Sequence, residues 1–408
     1  MTGQAGADSL PPRMETKKNQ TILALAGARA IPPLMIVLYH YSEGHHYTGL
    51  QWLDRITTRG YLWVEFFFVL SGFILTHAYA ARLPDLLKPR GYLDFLRARL
   101  IRLYPLHLFM LLLVLAMVIV LRALAAAGGY VSIFDLPWHQ DVSPKGFVLS
   151  LLLVQGWNTM DRLTWNGLSW FVSAEFALCL LFPALLWLTA PHKGQTWRGV
   201  ALVAAGLGGL VLLLMGSRHG LDITFHNGVL RGLGDFTVGM GLAVIFRGVR
   251  HQRIPAWTHS VIQALLLLLL VYSVTRTGWS HTFNDIYTVL PIMGLVFALA
   301  FDKGFLAEAL KTRVFQTVGE WSYAIYLGQT AWLLSLRFLK QRVFPAPDAL
   351  VLGWRWADIA WWLEPIGLLI ACLAWGALLA RHVEIPAAAK LRARFGRRLD
   401  PKSIPTPS

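Results

Sequence analysis

Long apolar runs dominate this chain and limit what it can fold into. LVLAMVIVLRALAAA, GVALVAAGLGGLVLLLM and IQALLLLLLVYSV each approach the ~20 residues that a helix needs to cross about 30 Å of hydrocarbon. Inside hydrocarbon, backbone polar groups must be satisfied within the spanning structure, so runs of this length read as helices. Only 14% of the 408 residues are charged and 56% are hydrophobic, against roughly 25% charged in a soluble domain. The expected fold class is therefore all-α: a polytopic membrane protein whose first partner is the lipid bilayer.

The apolar pattern predicts ten spans, at approximately 21-41, 61-81, 103-126, 167-189, 199-216, 229-247, 257-275, 284-301, 316-338 and 357-380. A shorter stretch, 146-156, has the length of a re-entrant or interfacial segment. The net charge of +15 lies in short segments between the apolar runs. That placement argues for orientation by the positive-inside rule and against a nucleic-acid partner. With the N-terminus cytoplasmic, about 25 of the 37 basic residues fall inside and about 12 outside. An eleventh span at 146-156 would reverse the later basic loops, so ten spans with both termini cytoplasmic are expected. The domain reading is a cytoplasmic segment at 1-20, a transmembrane domain at 21-380 and a basic cytoplasmic tail at 381-408. The first apolar run lacks a small-residue cleavage site and reads as a retained helix. No soluble second domain and no internal repeat is evident. The two cysteines, Cys179 and Cys372, suggest neither a disulfide framework nor a metal pair.

Ionisable residues inside spans are costly and are functional candidates by default. Arg29 and His40 are eleven residues apart on the first span. On a continuous helix they would point nearly the same way, about 16 Å apart along the axis. Histidine suits proton transfer near neutral pH; the alternative is an interfacial His beside a snorkelling Arg. Glu65 falls near the outer end of the second span, within reach of His40, as an orienting or a structural carboxylate. Arg99 and Arg102 share a helix face at i,i+3, a spacing that suits phosphate oxygens, or else topology signalling and lipid headgroups. Ser169, Ser173 and Glu175 lie in the outer half of the fourth span, suited to acid/base work or to a helix-helix hydrogen-bond hub. Arg231 and Asp235, at i,i+4, read as a local ion pair. Ser322, Tyr323, Tyr326 and Gln329 lie along one helix and suit a polar ligand or helix packing. No metal-ligand set is expected, and His45 and His46 read as loop residues.

Taken in order, these segments resemble the acyltransferase-3 family of membrane-bound carbohydrate O-acyltransferases. The resemblance rests on Arg29 to His40, on GYLWVEFFFVLSGFIL, and on the Arg-x-x-Arg of FLRARLIRLYPLHL at Arg99 and Arg102. It rests also on LSWFVSAEFALCLLFP with Trp170, Ser173 and Glu175, on RGLGDFTVGMGLA and on SYAIYLGQT. It covers roughly residues 20-380. Phe171 and Val172 replace the usual Ser-Leu of the fourth block. Gln329 stands where a His is common, which removes the basis for a catalytic role there. The hydrolase-like C-terminal domain of some relatives is not seen.

The resemblance implies a co-substrate rather than a bound cofactor: acetyl-CoA or another acyl-CoA. It implies transfer to a hydroxyl of a carbohydrate or glycolipid acceptor, in a bacterial cytoplasmic (inner) membrane, with polysaccharide-assembly proteins as possible partners. Arg99 and Arg102 would hold the donor phosphates, and the donor's arm would extend past Arg29, the third donor-binding residue. His40 would act as base or transient acyl carrier, oriented by Glu175 and less directly by Glu65. The rival class is a transporter or flippase of a polysaccharide precursor. It would carry the same intramembrane charges without the ordered motifs.

Overall fold

The computed structural model describes residues 21–42, 51–128, 141–188, 196–276, 284–342, 350–351 and 354–395. His45 and His46 lie outside them. Among the described residues the regular structure is helical apart from two-residue strands, Leu350–Val351 and Trp354–Arg355, paired antiparallel. The helices are α1 (Leu23–Ala28), α2 (Ile31–Ser42), α3 (Gln51–Thr58), α4 (Trp63–Tyr79), α5 (Leu83–Leu86), α6 (Pro89–Gly128), α7 (Pro144–Leu151) and α8 (Trp170–Leu188). They continue as α9 (Thr196–Gly216), α10 (Gly228–Val249), α11 (Ala256–Arg276), α12 (Asp285–Leu299), α13 (Phe305–Leu310), α14 (Arg313–Arg342), α15 (Trp356–Leu379) and α16 (Ile385–Phe395).

Among the described residues, eight helical stretches are long and apolar enough to cross a membrane. They coincide with eight of the ten expected spans. The other two segments are helical but fall short of that standard. The α12 helix has 15 residues, below the ~20 of a full crossing. The α14 helix carries Arg313, Glu320, Arg337, Lys340 and Arg342, which dilute its apolar character. Large apolar side chains on α9 and α11 point outward, among them Leu212, Met215, Leu265 and Leu268. This is the arrangement of a lipid-facing surface.

The first expected span is broken. The α1 helix ends at Arg29, and Pro32 and Pro33 open α2, where a proline's missing N–H is tolerated. Arg29 and His40 therefore do not share one continuous helical face, and the alignment drawn from their spacing is corrected.

The 146-156 stretch does not cross. It comprises the eight-residue α7 and a returning loop. Its ends are tied where Asp141 N donates to Leu163 O at 2.8 Å and Trp165 N donates to Asp141 O at 3.1 Å. Non-helical backbone at depth survives only when buried in protein, and Ser173 provides that cover. Its Oγ accepts from Gly156 N at 3.0 Å and donates to Leu153 O at 2.7 Å. Trp157 Nε1 donates to Ser173 O at 3.0 Å. The Ser169 carbonyl and hydroxyl both accept from Gln155 Nε2. Three of the non-glycine residues with positive φ, Leu153, Asn158 and Trp165, lie in this segment. Asn227, a fourth, is bonded to Asn158.

The α10 helix occupies the middle of the bundle, and its sequence GLGDFTVGMG lets neighbours approach closely. A Cβ on Gly239 would lie 2.0 Å from Val69 O of α4, and one on Gly241 would lie 2.5 Å from Gly199 O of α9. Small residues at such crossings are how membrane helices gain packing without a hydrophobic driving force.

Candidate active site

Five helices converge on one intramembrane cavity. Its lining includes Arg29 after α1; Phe67, Ser71 and Ile74 of α4; Arg99 and Arg102 of α6; Phe171 and Glu175 of α8; and Ser322, Tyr323 and Tyr326 of α14. The cavity is about 120 Å³, roughly ten times what one ordered water needs. It has room for a small charged group.

The three guanidiniums come from two segments 70 residues apart in sequence or more, and all are enclosed while keeping accessible surface on the cavity. Arg99 and Arg102 arrive together because i,i+3 positions share a helix face. No ion pair ties any of the three to a carboxylate among the described residues. Arg99 Nε is buried without a hydrogen-bond partner, and Arg29 and Arg102 lie close enough to repel one another. Like charges gathered this way are complementary to a multiply charged anion such as a phosphate, which guanidinium grips with paired bonds.

Glu175 lies beside these arginines. Ser71 Oγ donates to its Oε1 at 2.5 Å, and Oε2 has no hydrogen-bond partner. Glu175, expected to orient His40, therefore lies with the arginines instead. Tyr323 OH donates to Leu103 O at 2.7 Å and Tyr326 OH donates to Leu168 O at 3.1 Å. Both phenols thus anchor α14, and their rings face the cavity.

Glu65 occupies a second buried cluster. Arg231 Nε donates to Glu65 Oε1 at 2.7 Å, and Nη2 of the same guanidinium lies 2.5 Å from that oxygen. Its Nη1 donates to Ile223 O and its Nη2 to Tyr61 O, and its face lies 5.6 Å from the Trp170 ring centroid. The expected local pair of Arg231 with Asp235 is therefore corrected, because the ion pair joins α10 to α4. Asp235 is fully buried, with no hydrogen-bond partner for either oxygen. Its charge acts on Glu65 and Arg231.

His40 does not line the arginine cavity. Its ring lies 4.9 Å from that of Tyr39, which lies 5.6 Å from Tyr61. Tyr61 is the residue whose carbonyl receives Arg231, so it is Tyr39, the chain neighbour of His40, that packs beside the second cluster. Ser173 and Gln329 are structural. The latter's Nε2 donates to Pro33 O at 3.0 Å, holding α14 against the start of α2.

Ser71 of the cavity and Glu384 near its arginines escaped sequence reasoning. Ser71 is a single hydroxyl inside FVLSGFIL, and that isolation was its only signal. Glu384 ends a π-helical segment, Ala380–Glu384, between α15 and α16; such bulges recur at functional sites. Its Oε2 is buried without a partner, and its charge acts on Arg29 and Arg102. The sequence reading assigned it to a tail because the apolar run ends before it.

Known proteins bear on this site. The family model described as an acyltransferase domain matches residues 22–381. Acyltransferase MdmB of Streptomyces mycarofaciens is 30% identical over 340 residues, covering 78% of this chain and 79% of that one. Protein 2 in the picA locus of Rhizobium radiobacter is 34% identical over 168 residues, 40% of this chain and 79% of that one. A Staphylococcus aureus (strain COL) protein carrying an O-acetyltransferase name is 22% identical over 338 residues, 76% of this chain and 50% of that one. No solved structure matches the chain. A family match that begins in the first span and ends in the last shows that this chain belongs to the acyltransferase-3 family, as an integral membrane O-acyltransferase.

Proposed function

We propose that the protein moves an acyl group, acetyl in the first instance, from cytoplasmic acyl-CoA to a hydroxyl of a cell-surface or lipid-linked carbohydrate. Both termini would be cytoplasmic, in a bacterial inner membrane. The observation that carries this reading is the convergence of Arg29, Arg99 and Arg102 on one cavity, without carboxylate partners in ion-pair contact among the described residues. An acyl-CoA headgroup is polyanionic and cannot enter hydrocarbon, but its neutral arm can extend between helices. The phosphates would sit at the mouth of the arginine cavity, with the thioester pointing towards His40.

In the transfer step the acceptor hydroxyl oxygen attacks the thioester carbonyl carbon. The C–O bond forms and the C–S bond breaks. His40 takes the hydroxyl proton and returns it to the departing CoA thiolate, the role of a base near neutrality. An enclosed apolar path disfavours loss of the acyl group to water.

Supplying radiolabelled acetyl-CoA to membranes and extracting lipid and polysaccharide tests the reading. Label should appear in a carbohydrate fraction. His40→Ala should abolish it at normal protein level, and Arg102→Ala should weaken donor binding by about tenfold or more, the loss of a charge-assisted contact. Movement of unmodified carbohydrate with no label transfer would instead make this chain a transporter.

A further inference from the structure

We infer that Phe67, Phe171 and Tyr326 form a constriction that selects the length of the acyl chain and shields the thioester from water; this rests on the acyl-transfer reading above. The three rings come from α4, α8 and α14, and each touches both others. Their centroids are 5.8 Å apart for Phe67–Phe171, 6.3 Å for Phe67–Tyr326 and 5.5 Å for Phe171–Tyr326. Separations of about 4.5–7 Å are those of rings in direct contact, so the triangle is closed.

The rings also stand at one end of the cavity. On α4 the lining residues run from Phe67 through Ser71 to Ile74, and on α8 from Phe171 to Glu175. Phe67 touches Phe171, and Ser71, four residues on, bonds to Glu175, also four residues on. The two helices are therefore in step, and the rings lie about one turn, ~6 Å, from the carboxylate. On the far side Phe171 lies 4.6 Å from Phe68 and 6.3 Å from Trp170. Trp170 in turn covers Arg231 of the second cluster. The rings therefore separate the arginine cavity from the second cluster.

The wall has one fixed and two movable members. Tyr326 is buried and tied by its hydroxyl to Leu168 O. Phe67 and Phe171 are half-buried, carry no polar anchor and expose ring surface to the cavity. A two-carbon acyl group can lie against the closed rings at the end of the cavity. A longer chain must part them and admit water.

The test uses the full-length protein in membranes with acetyl-, butyryl- and hexanoyl-CoA. Acylated carbohydrate and released CoA thiol are measured separately. Wild type should prefer acetyl and release CoA in step with product. Phe171→Ala should raise the butyryl-to-acetyl transfer ratio at least tenfold and release several-fold more CoA than product. Phe171→Leu and Phe67→Leu should shift both readouts in the same direction by less, and they carry the test if the alanine variant does not accumulate. Trp187→Ala, on the outward face of α8, should match wild type. If wild type transfers acyl groups but the Phe171 and Phe67 variants keep its chain-length ratio and its coupling, the constriction is refuted. If wild type transfers none of the three, the acyl-transfer reading itself fails.

Discussion

Gly72, one residue beyond Ser71, offers a sharp test of how the two buried clusters are held. A Cβ there would lie 2.1 Å from Phe236 O of α10, whereas real Cβ contacts stay beyond 3.0 Å. Gly72→Ala must therefore part α4 from α10 by about 0.9 Å, the difference between those two distances. Backbone cannot swing aside as a flexible side chain does, so the whole crossing shifts. The 2.7 Å bond from Arg231 Nε to Glu65 spans the same two helices and would lengthen, while the 2.5 Å contact of Nη2 with the same oxygen keeps the pair joined. Overpacking of this kind costs about 1–3 kcal/mol. The helix gains back only about 0.5–1 kcal/mol from replacing glycine. A net loss of about 1–2 kcal/mol follows. Gly208→Ala is the matched control, since a Cβ at Gly208 meets nothing within 4 Å. Thermal unfolding of detergent-purified protein, followed by tryptophan fluorescence, should show Gly72→Ala melting several degrees below Gly208→Ala. Equal midpoints for the two variants would refute the argument that this crossing sets the cluster geometry.

Other substitutions separate structural from chemical roles. Ser173→Ala should expose the 152–158 loop to hydrogen exchange, because Gly156 N and Leu153 O lose their shared partner at about 1–3 kcal/mol per stranded group; unchanged protection would show that the hydroxyl is not what pins the loop. Arg231→Met should lower the folded fraction after detergent extraction more than Glu65→Gln does. The first leaves Glu65 and Asp235 buried without a cation, while the second leaves Asp235 able to receive the guanidinium. The reverse order would mean that Asp235 takes no part in the balance.

The apolar spans were legible because hydrocarbon imposes composition directly: a helix exposed to lipid must be apolar along its length. Arg99 and Arg102 were legible for a similar reason, since i,i+3 spacing survives wherever the helix goes. Spacing is silent, however, on which helix lies opposite. Arg231 had an acceptor four residues away in sequence and took one 166 residues away instead, because α4 packs against α10 through Gly72 and Gly239. The break at Arg29 was signalled by Pro32 and Pro33, and the pairing with His40 needed a helix that those residues end. Glu384 was missed because a hydropathy run stops where the chain first becomes polar, whereas this helix continues through a π-helical turn to Phe395.

The corrected positions give a clear electrostatic picture. At the cavity Arg29, Arg99 and Arg102 face Glu175 and the nearby Glu384, a formal excess of positive charge. At the second cluster Arg231 is already paired with Glu65, with Asp235 buried beside them. Between them stands a wall of aromatic rings, a low-dielectric layer in which such fields are weakly screened. A polyanion is therefore held on the arginine side of the wall. A neutral acyl arm is limited only by the rings. On the proposed reading, the chain need not move charge across the membrane to deliver an acyl group: the arginines hold the headgroup, and the rings decide which acyl chain is accepted.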